Sequence, residues 1–361
     1  MEKSKREDIK IEILKLIAPG TPLRVGLDNI LKAKTGVLLV VGDSGEILDL
    51  VDGGFRIDEN YTPSRLYELA KMDGAIVLSR DFKKILFANA QIIPSHKIST
   101  EETGTRHRTA ERTAKQTGEL VISISQRRSV ITVFKEDFRY VVKDTSKRLT
   151  EANQALQTLE NYRKVFDAKL NILNEYEFND IVTLDNVITC IQRAEMANRV
   201  AEEVRSAIYE LGEDGLLVKM QLEELIDDLI EEELLIIKDY IAPGKRAAAE
   251  KIMNSIRQGA YTQNEFIDAT AIAKLLGYGN FDNYEEVAVY PRGYRILNKI
   301  PRMPNTIVNN LVKTFKSFQH ILLADIQKLD DVDGIGEIRA RTIKQSLKRM
   351  QEQFVFDNIV I

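Results

Sequence analysis

The hydrophobic period of this 361-residue chain changes once, near residue 145, and that change limits the architectures open to it. Before it, short apolar runs rich in β-branched residues alternate with stretches of helical spacing. Residues 9–17 and 23–33 are spaced as helices, whereas 36–41, 74–79, 85–88, 120–125, 129–135 and 139–143 read as strands. Asp52-Gly53-Gly54 reads as a turn. Residues 62–72 read as a helix, with Thr62 as its cap and Pro63 at its first position. Beyond the change, 146–173, 180–211 and 216–240 keep a helical period, which runs on to about residue 276. These patterns predict an α/β N-terminal domain over 1–145, a mixed sheet flanked by helices. An all-α spine over 146–288 follows, and then a small all-α domain over 289–361.

The last domain repeats itself. Leu297, Ile300, Val308 and Leu311 recur as Leu329, Val332, Ala340 and Ile343, always 32 residues on. Each copy is a helix–turn–helix too small to bury a core alone, so the two are expected to pack as a pair. The second turn is Gly334-Ile335-Gly336, where missing side chains let backbone N–H groups approach a phosphate at a helix N-terminus. Arg339, Arg341 and Lys344 add cations. The first turn, Pro301-Arg302-Met303-Pro304, has no glycine and two residues without an N–H. It reads as mainly structural, with Arg302 as its phosphate contact.

The net charge of −4 hides an uneven layout. Residues 221–239 hold eight acids against one lysine, and the acids at 223–233 read as a solvated helix face. Residues 291–361 hold twelve Lys/Arg against seven Asp/Glu, which points to a polyanion partner at that end. No apolar run approaches the ~20 residues of a membrane span, and the charged start lacks a signal-peptide pattern, so no membrane role is expected. The one cysteine, Cys190, suits a reducing cytosol and reads as a core residue.

Two runs carry chemistry. Gly104-Thr105-Arg106-His107-Arg108-Thr109 concentrates two guanidinium forks, an imidazole and two hydroxyls on what reads as a turn leading into a helix over 109–117. That donor density fits a polyphosphate. About thirty residues upstream lies Asp73-Gly74-Ala75. Alone, that run reads as a capping turn. Paired with the donor cluster, Asp73 reads as the partner of a metal or a reacting hydroxyl.

Asp-Gly-Ala followed by Arg-His-Arg resembles the diadenylate cyclase domain. With the Gly334-Ile335-Gly336 turn in the same order, the whole chain is similar to diadenylate cyclases that end in a tandem helix-hairpin-helix domain. The resemblance implies that Asp73 binds the catalytic Mg²⁺ or Mn²⁺ and helps activate a ribose 3′-hydroxyl. It implies that Gly74, Ala75 and the run Gly104 to Thr109 hold ATP, that Ser125 and Arg128 touch phosphate, and that the Ile92 backbone meets adenine. The implied reaction condenses two ATP into cyclic di-AMP between facing protomers of a homo-octamer. Binding of branched DNA such as Holliday junctions through Arg302, Gly334, Ile335, Gly336, Arg339, Arg341 and Lys344 would lower synthesis, in the cytoplasm and at the nucleoid. The competing reading is a non-catalytic DNA-binding scaffold whose N-terminal domain senses ATP. A sensor has no need of the Asp73 carboxylate.

Overall fold

Leu38 to Val41, Ala75 to Leu78 and Leu120 to Ile124 are buried without a break, as strands covered on both faces must be. In the computed structural model, which describes residues 2–245, 247–259, 268–279, 281 and 283–357 (side chains of 2–8 and 354–357 excepted), they form the middle of an eight-stranded mixed sheet. Its strands are β1 (Leu38–Val41), β2 (Val51–Asp52), β3 (Phe55–Asn60), β4 (Ala75–Leu78), β5 (Lys84–Ile92), β6 (Leu120–Ser125), β7 (Val130–Lys135) and β8 (Phe138–Val141). The order is β2-β5-β4-β1-β6-β7-β8, with β3 also on β5. β1 and β4 run parallel, and the other neighbours are antiparallel.

The period of two sorts the side chains into two cores. Leu39, Val41, Ile76, Leu78, Ile122 and Ile124 point to one face. There they meet α1 (Glu2–Ile17), α2 (Pro22–Lys32) and α4 (Pro63–Leu69), through Ile13, Leu27, Ile30 and Leu66. Leu38, Val40, Ala75, Val77 and Val121 point to the other, against Ile47 of α3 (Gly45–Leu48) and Ala110 and Ala114 of α5 (Thr105–Thr117). Thr62 caps α4 as expected, accepting from Arg65 N at 3.2 Å, with Pro63 as the first helical residue.

Several local features differ from the sequence reading: α3 and β2 have no counterpart in it, and Asp52, read as turn, ends β2. β5 runs past Ala88 to Ile92, because Asn89 adopts a left-handed conformation (φ 51°) and the chain rejoins the sheet beyond it, Ala90 opposite Ala75 and Ile92 opposite Val51. β3 is an edge strand whose charged, mostly exposed residues hide its period. α5 begins at Thr105, four residues earlier than expected, since nothing between Gly104 and the left-handed Gly118 (φ 71°) breaks it.

The helical remainder comprises α6 (Thr145–Asn179), α7 (Leu184–Leu211), α8 (Leu216–Ile226), α9 (Leu229–Tyr240), α10 (Ala249–Gly259), α11 (Ala269–Leu276), α12 (Tyr294–Asn298), α13 (Asn305–Phe315), α14 (Phe318–Leu323), α15 (Ile326–Asp330) and α16 (Glu337–Asp357). The chain divides into two compact units: residues 1–154 with 204–220, and 155–203 with 221–361. The helical reading through residue 276 includes 260–267, which lie outside the described residues. The stretch 216–240 is two helices. Arg163 of α6 donates to the Leu225 carbonyl (3.0 Å) and pairs with Asp228 (2.6 Å), closing α8 and separating it from α9. The acidic stretch is not wholly solvated either. Glu233 is buried, where it accepts from Asn198 (2.9 Å) and Arg257 (3.1 Å).

α9 and α12 are joined by reciprocal caps. Asp239, fully buried on α9, accepts from the backbone N–H of Gly293, Tyr294 and Arg295 (2.7, 2.7 and 2.9 Å), the start of α12. Arg292 donates back to the carbonyls of Lys238 and Ile241 (2.8 and 2.6 Å), the end of α9. Buried Arg295 adds hydrogen bonds to Asn174 and Glu177, and Glu177 also accepts from Tyr240 (2.7 Å). Burial, followed by the Glu177 charge, pushes the Asp239 carboxyl up to about 7, while the N–H donors and Arg295 oppose the rise.

In the unfolded chain that carboxyl titrates near its ordinary ~3.9. Its contribution to stability is therefore full in acid and is lost as pH climbs through about 7. Asp239→Asn has no such titration. Urea melts should find the advantage of the wild type over Asp239→Asn shrinking by about 2 kcal/mol between pH 5 and 7. A gap independent of pH would contradict this.

Candidate functional site

Because α5 starts at Thr105, the Arg106-His107-Arg108 run lies in its first turn and not on a loop before it. Successive helical residues are ~100° apart, so the three side chains diverge. Arg106 turns toward the sheet. A Cβ placed on Gly36 would lie 2.1 Å from its Nη1, so the guanidinium occupies the space that glycine leaves. His107 is half-buried, its Nδ1 3.3 Å from Ser123 Oγ and its ring edge-on to Phe134 at 6.4 Å. Burial lowers the imidazole below its ordinary value. Glu102 opposes this, and Arg139, Arg106 and Arg128 add to it. Arg108 is exposed.

A cavity of about 340 Å³ lies at the N-terminal ends of β1 and β4. Leu38, Gly74, Ala75, the Ala90-Gln91-Ile92 end of β5, Thr105, Arg106 and Thr109 line it. Six residues singled out in the sequence thus meet in one place: Gly74, Ala75, Ile92, Thr105, Arg106 and Thr109. Asp73, next to Gly74, is exposed. Gly104 caps α5, and Ser125 and Arg128 sit on the β6–β7 turn, where Ser125 Oγ accepts from Arg128 N at 3.2 Å. These three, with His107 and Arg108, are not among the lining residues. Gly74 is required by the sheet itself: its φ is +95°, and a Cβ there would come within 2.9 Å of the Ala90 carbonyl oxygen.

Charge pairing separates this site from its surroundings. Nearby Arg139 pairs with Glu102 (2.6 Å) and Lys115 with Glu111 (2.7 Å). The side chains of Arg106, Arg108 and Arg128, and the Asp73 carboxylate, have no hydrogen-bond or ion-pair partner among the described residues. Three unmatched cations near one cavity suit a polyanion. No group of three or more potential metal-binding side chains occurs among the described residues, so a metal here would have Asp73 as its protein ligand. That donor set fits a hard cation such as Mg²⁺, which is held by one or two carboxylates together with substrate phosphates and water.

Gly36, Glu111 and Arg112 escaped the sequence reading. The loop between Ile92 and Thr105 is tied down to α5 itself. Buried Glu111 accepts from Thr100 Oγ1 (2.5 Å) and Glu101 N (3.2 Å), Arg112 donates to the Ile98 carbonyl (2.9 Å), and Gln116 accepts from Ser95 N (2.8 Å). Burial alone would raise the Glu111 carboxyl, but the bonds from Lys115 and Thr100 hold it below its ordinary range. In the sequence, Glu111 and Lys115 look like an ordinary surface i,i+4 pair.

The second candidate surface belongs to the other unit. The repeat is realised in three dimensions: Leu297, Ile300, Val308 and Leu311 share one core with Leu329, Val332, Ala340 and Ile343. Arg302 (φ 60°) takes the left-handed place that Gly334 (φ 82°) holds 32 residues on. One concavity is lined by both turns, including Arg302, Met303, Gly336 and Arg339. Arg302 and Arg339 are exposed, Arg339 donating to the Gly334 carbonyl, and Ile335 is buried in the core. Arg341 is engaged by Glu337. The Lys344 ammonium is spent on the Leu322 and Ala324 carbonyls at the end of α14 (2.7 Å each).

Over 98% of its length the chain is 52% identical to the DNA integrity scanning protein DisA of Acetivibrio thermocellus, covering 98% of that protein. The chain belongs to the DisA family. The protein of that name from Carboxydothermus hydrogenoformans is 52% identical over 94% of this chain and 96% of its own. Residues 24–138 match the DisA bacterial checkpoint controller nucleotide-binding model, the diadenylate cyclase region of the family, and 142–284 match its linker-region model. The cavity, Asp73 and the α5 cluster all lie within the nucleotide-binding match. Among solved structures, DacA from Staphylococcus aureus aligns with 39% of this chain and 90% of its own at 21% identity and a TM-score of 0.29. No helix among the described residues is long and apolar enough to cross a membrane.

Gly36→Ala needs no unusual backbone, yet its methyl group takes the place of the Arg106 guanidinium. The methyl would also lie 3.0 Å from the Ile124 carbonyl oxygen, so a small loss of thermal stability is expected, beside a weakening of nucleotide binding by about tenfold or more read by calorimetry. Unaltered affinity would remove Arg106 from the site.

Proposed function

We propose that this chain condenses two ATP into cyclic di-AMP and two pyrophosphates, and that it grips branched DNA through its C-terminal hairpin pair. The observation that carries the first part is the single cavity where Gly74 and Ala75 meet Thr105, Arg106 and Thr109, with the unpartnered Asp73 carboxylate beside it. Adenine sits against the Ile92 end of β5, and the triphosphate lies toward the first turn of α5. There, backbone N–H groups and the positive end of the helix add to the arginines.

In each half-reaction a ribose 3′-oxygen forms a bond to the α-phosphorus of the other ATP, and the bond to the pyrophosphate oxygen breaks. Asp73 orients the attacking hydroxyl and accepts its proton as the bond to phosphorus forms, then passes it to water. Arg106 and Arg108 take up charge on the departing pyrophosphate, and Thr105 and Thr109 hold the phosphates in register. The protein contributes alignment and electrostatics, with no covalent intermediate. Mg²⁺ or Mn²⁺, held by Asp73 with phosphate oxygens, would supply further charge neutralisation. The product has two identical halves, and the described residues of one chain gather one such donor cluster beside this cavity, so the working unit is two facing protomers about a dyad. An octamer would provide four such pairs.

Support for the DNA part comes from the basic surplus of residues 291–361 and from two turns lining one concavity. Binding through backbone phosphates depends on salt and shape rather than on base sequence. The ATP-sensing scaffold is the weaker reading, because it gives Asp73 no task.

Incubation of the protein with ATP and divalent metal should yield cyclic di-AMP, identified by mass. Asp73→Asn should lower the rate by about a thousandfold or more while the fold persists. An unchanged rate for this variant, or no cyclic product from the wild type, would refute the cyclase reading. For the other end, Arg339→Ala should reduce the slope of log affinity for DNA against log salt by about one.

A further inference from the structure

Ile300, Pro301, Met303 and Ile338 are the apolar residues lining the concavity between the two hairpin turns; Ile300 is buried and Met303 half-buried, which leaves Ile338 as the large aliphatic side chain standing in solvent. Ile338, in the first turn of α16, is 85% exposed, the largest exposure of any large hydrophobic side chain among the described residues. The fold does not ask for it. Its counterpart 32 residues earlier is Thr306, in the first turn of α13, which is polar and also exposed. The same place in the same motif is therefore filled without an apolar group, and the shared core is built from other positions.

We infer that Ile338 is a wedge that enters the base stack of DNA at a branch point and gives the hairpin pair its preference for branched over linear DNA. The inference rests on the DNA-binding reading proposed above. The surroundings favour this occupant over an apolar protein partner. Exposed Arg302, with no side-chain partner among the described residues, and exposed Arg339 line the same concavity, within a segment carrying twelve basic and seven acidic residues. An apolar side chain amid cations matches a duplex, whose phosphates lie outside and whose base stack lies within. Wedging Ile, Leu or Met between stacked bases carries an unstacking cost. At a branch the stack is already interrupted, so the cost falls and burial of the side chain becomes net favourable. Structure preference then arises without any reading of base edges. The wedge is one-sided, since only the second hairpin carries it.

The test uses the full-length protein, a synthetic four-way junction and a linear duplex of matched sequence. Ile338→Thr copies the residue of the sister hairpin, so it should fold, as melting will verify. Its duplex affinity and salt slope should stay within about twofold of wild type, and its preference for the junction should fall about tenfold. Ile338→Leu should retain the preference. A 2-aminopurine placed at the branch should brighten when the wild type binds and stay quenched with Ile338→Thr. The inference is overturned if the threonine variant keeps both the preference and the fluorescence, if it loses duplex and junction binding equally, or if the wild type itself does not discriminate. Failure of the wild type to hold either DNA would instead overturn the DNA-binding reading, and the wedge with it.

Discussion

The close docking of α5 on the sheet governs everything at the nucleotide end. Ala110 and Ala114 are fully buried against Val40, Val77 and Val121, and two small side chains let the helix lie near the strands. That approach brings Arg106 over Gly36 and His107 over Ser123, and it sets the first turn of the helix on the rim of the cavity. A larger residue at either alanine would lift the helix and separate Thr105 and Arg106 from Gly74 and Ile92. The core packing and the donor cluster are thus one problem, solved by the same 13-residue helix.

The loop before α5 extends the same logic. It joins the two ends of the cavity, and residues of α5 itself hold it: Glu111, Arg112 and Gln116 take hold of Thr100, Glu101, Ile98 and Ser95. Contacts within the protein thus order this segment. Less conformational entropy then remains to be lost on binding. Arg106, which lines the cavity, and Arg108 and Arg128 outside its lining have no such ties, and their unmatched positive charge favours an anion.

Much of this could be read from residue order. The central strands were legible because burial on both faces leaves no polar residues to confuse the pattern, and Thr62-Pro63 announced its helix by local chemistry alone. The Asp-Gly-Ala and Arg-His-Arg runs stand out in the sequence as a carboxylate and a dense set of donors. What was hidden depends on contacts between distant residues. β3 hides because an edge strand carries charges on both faces. The split between α8 and α9 hides because it is imposed by Arg163, more than sixty residues away. Gly36 looks like any strand-initiating glycine until Arg106 is seen beside it. Lys344 looks like a free cation until its carbonyl partners are known.

The reciprocal caps between α9 and α12 bear on how this molecule can be divided. A fragment beginning at residue 289 would contain the entire hairpin repeat, and on paper it is a self-sufficient module. It would nevertheless leave behind Asp239, Glu177 and Asn174, the acceptors for the first amides of α12 and for the Arg295 guanidinium. A cation evolved for a dry interior would be released into solvent, and a five-residue helix would lose the Asp239 carboxylate that holds its first three amides. Transplanting the hairpins to another host therefore means carrying the carboxyl-terminal turns of both α9 and α6 with them.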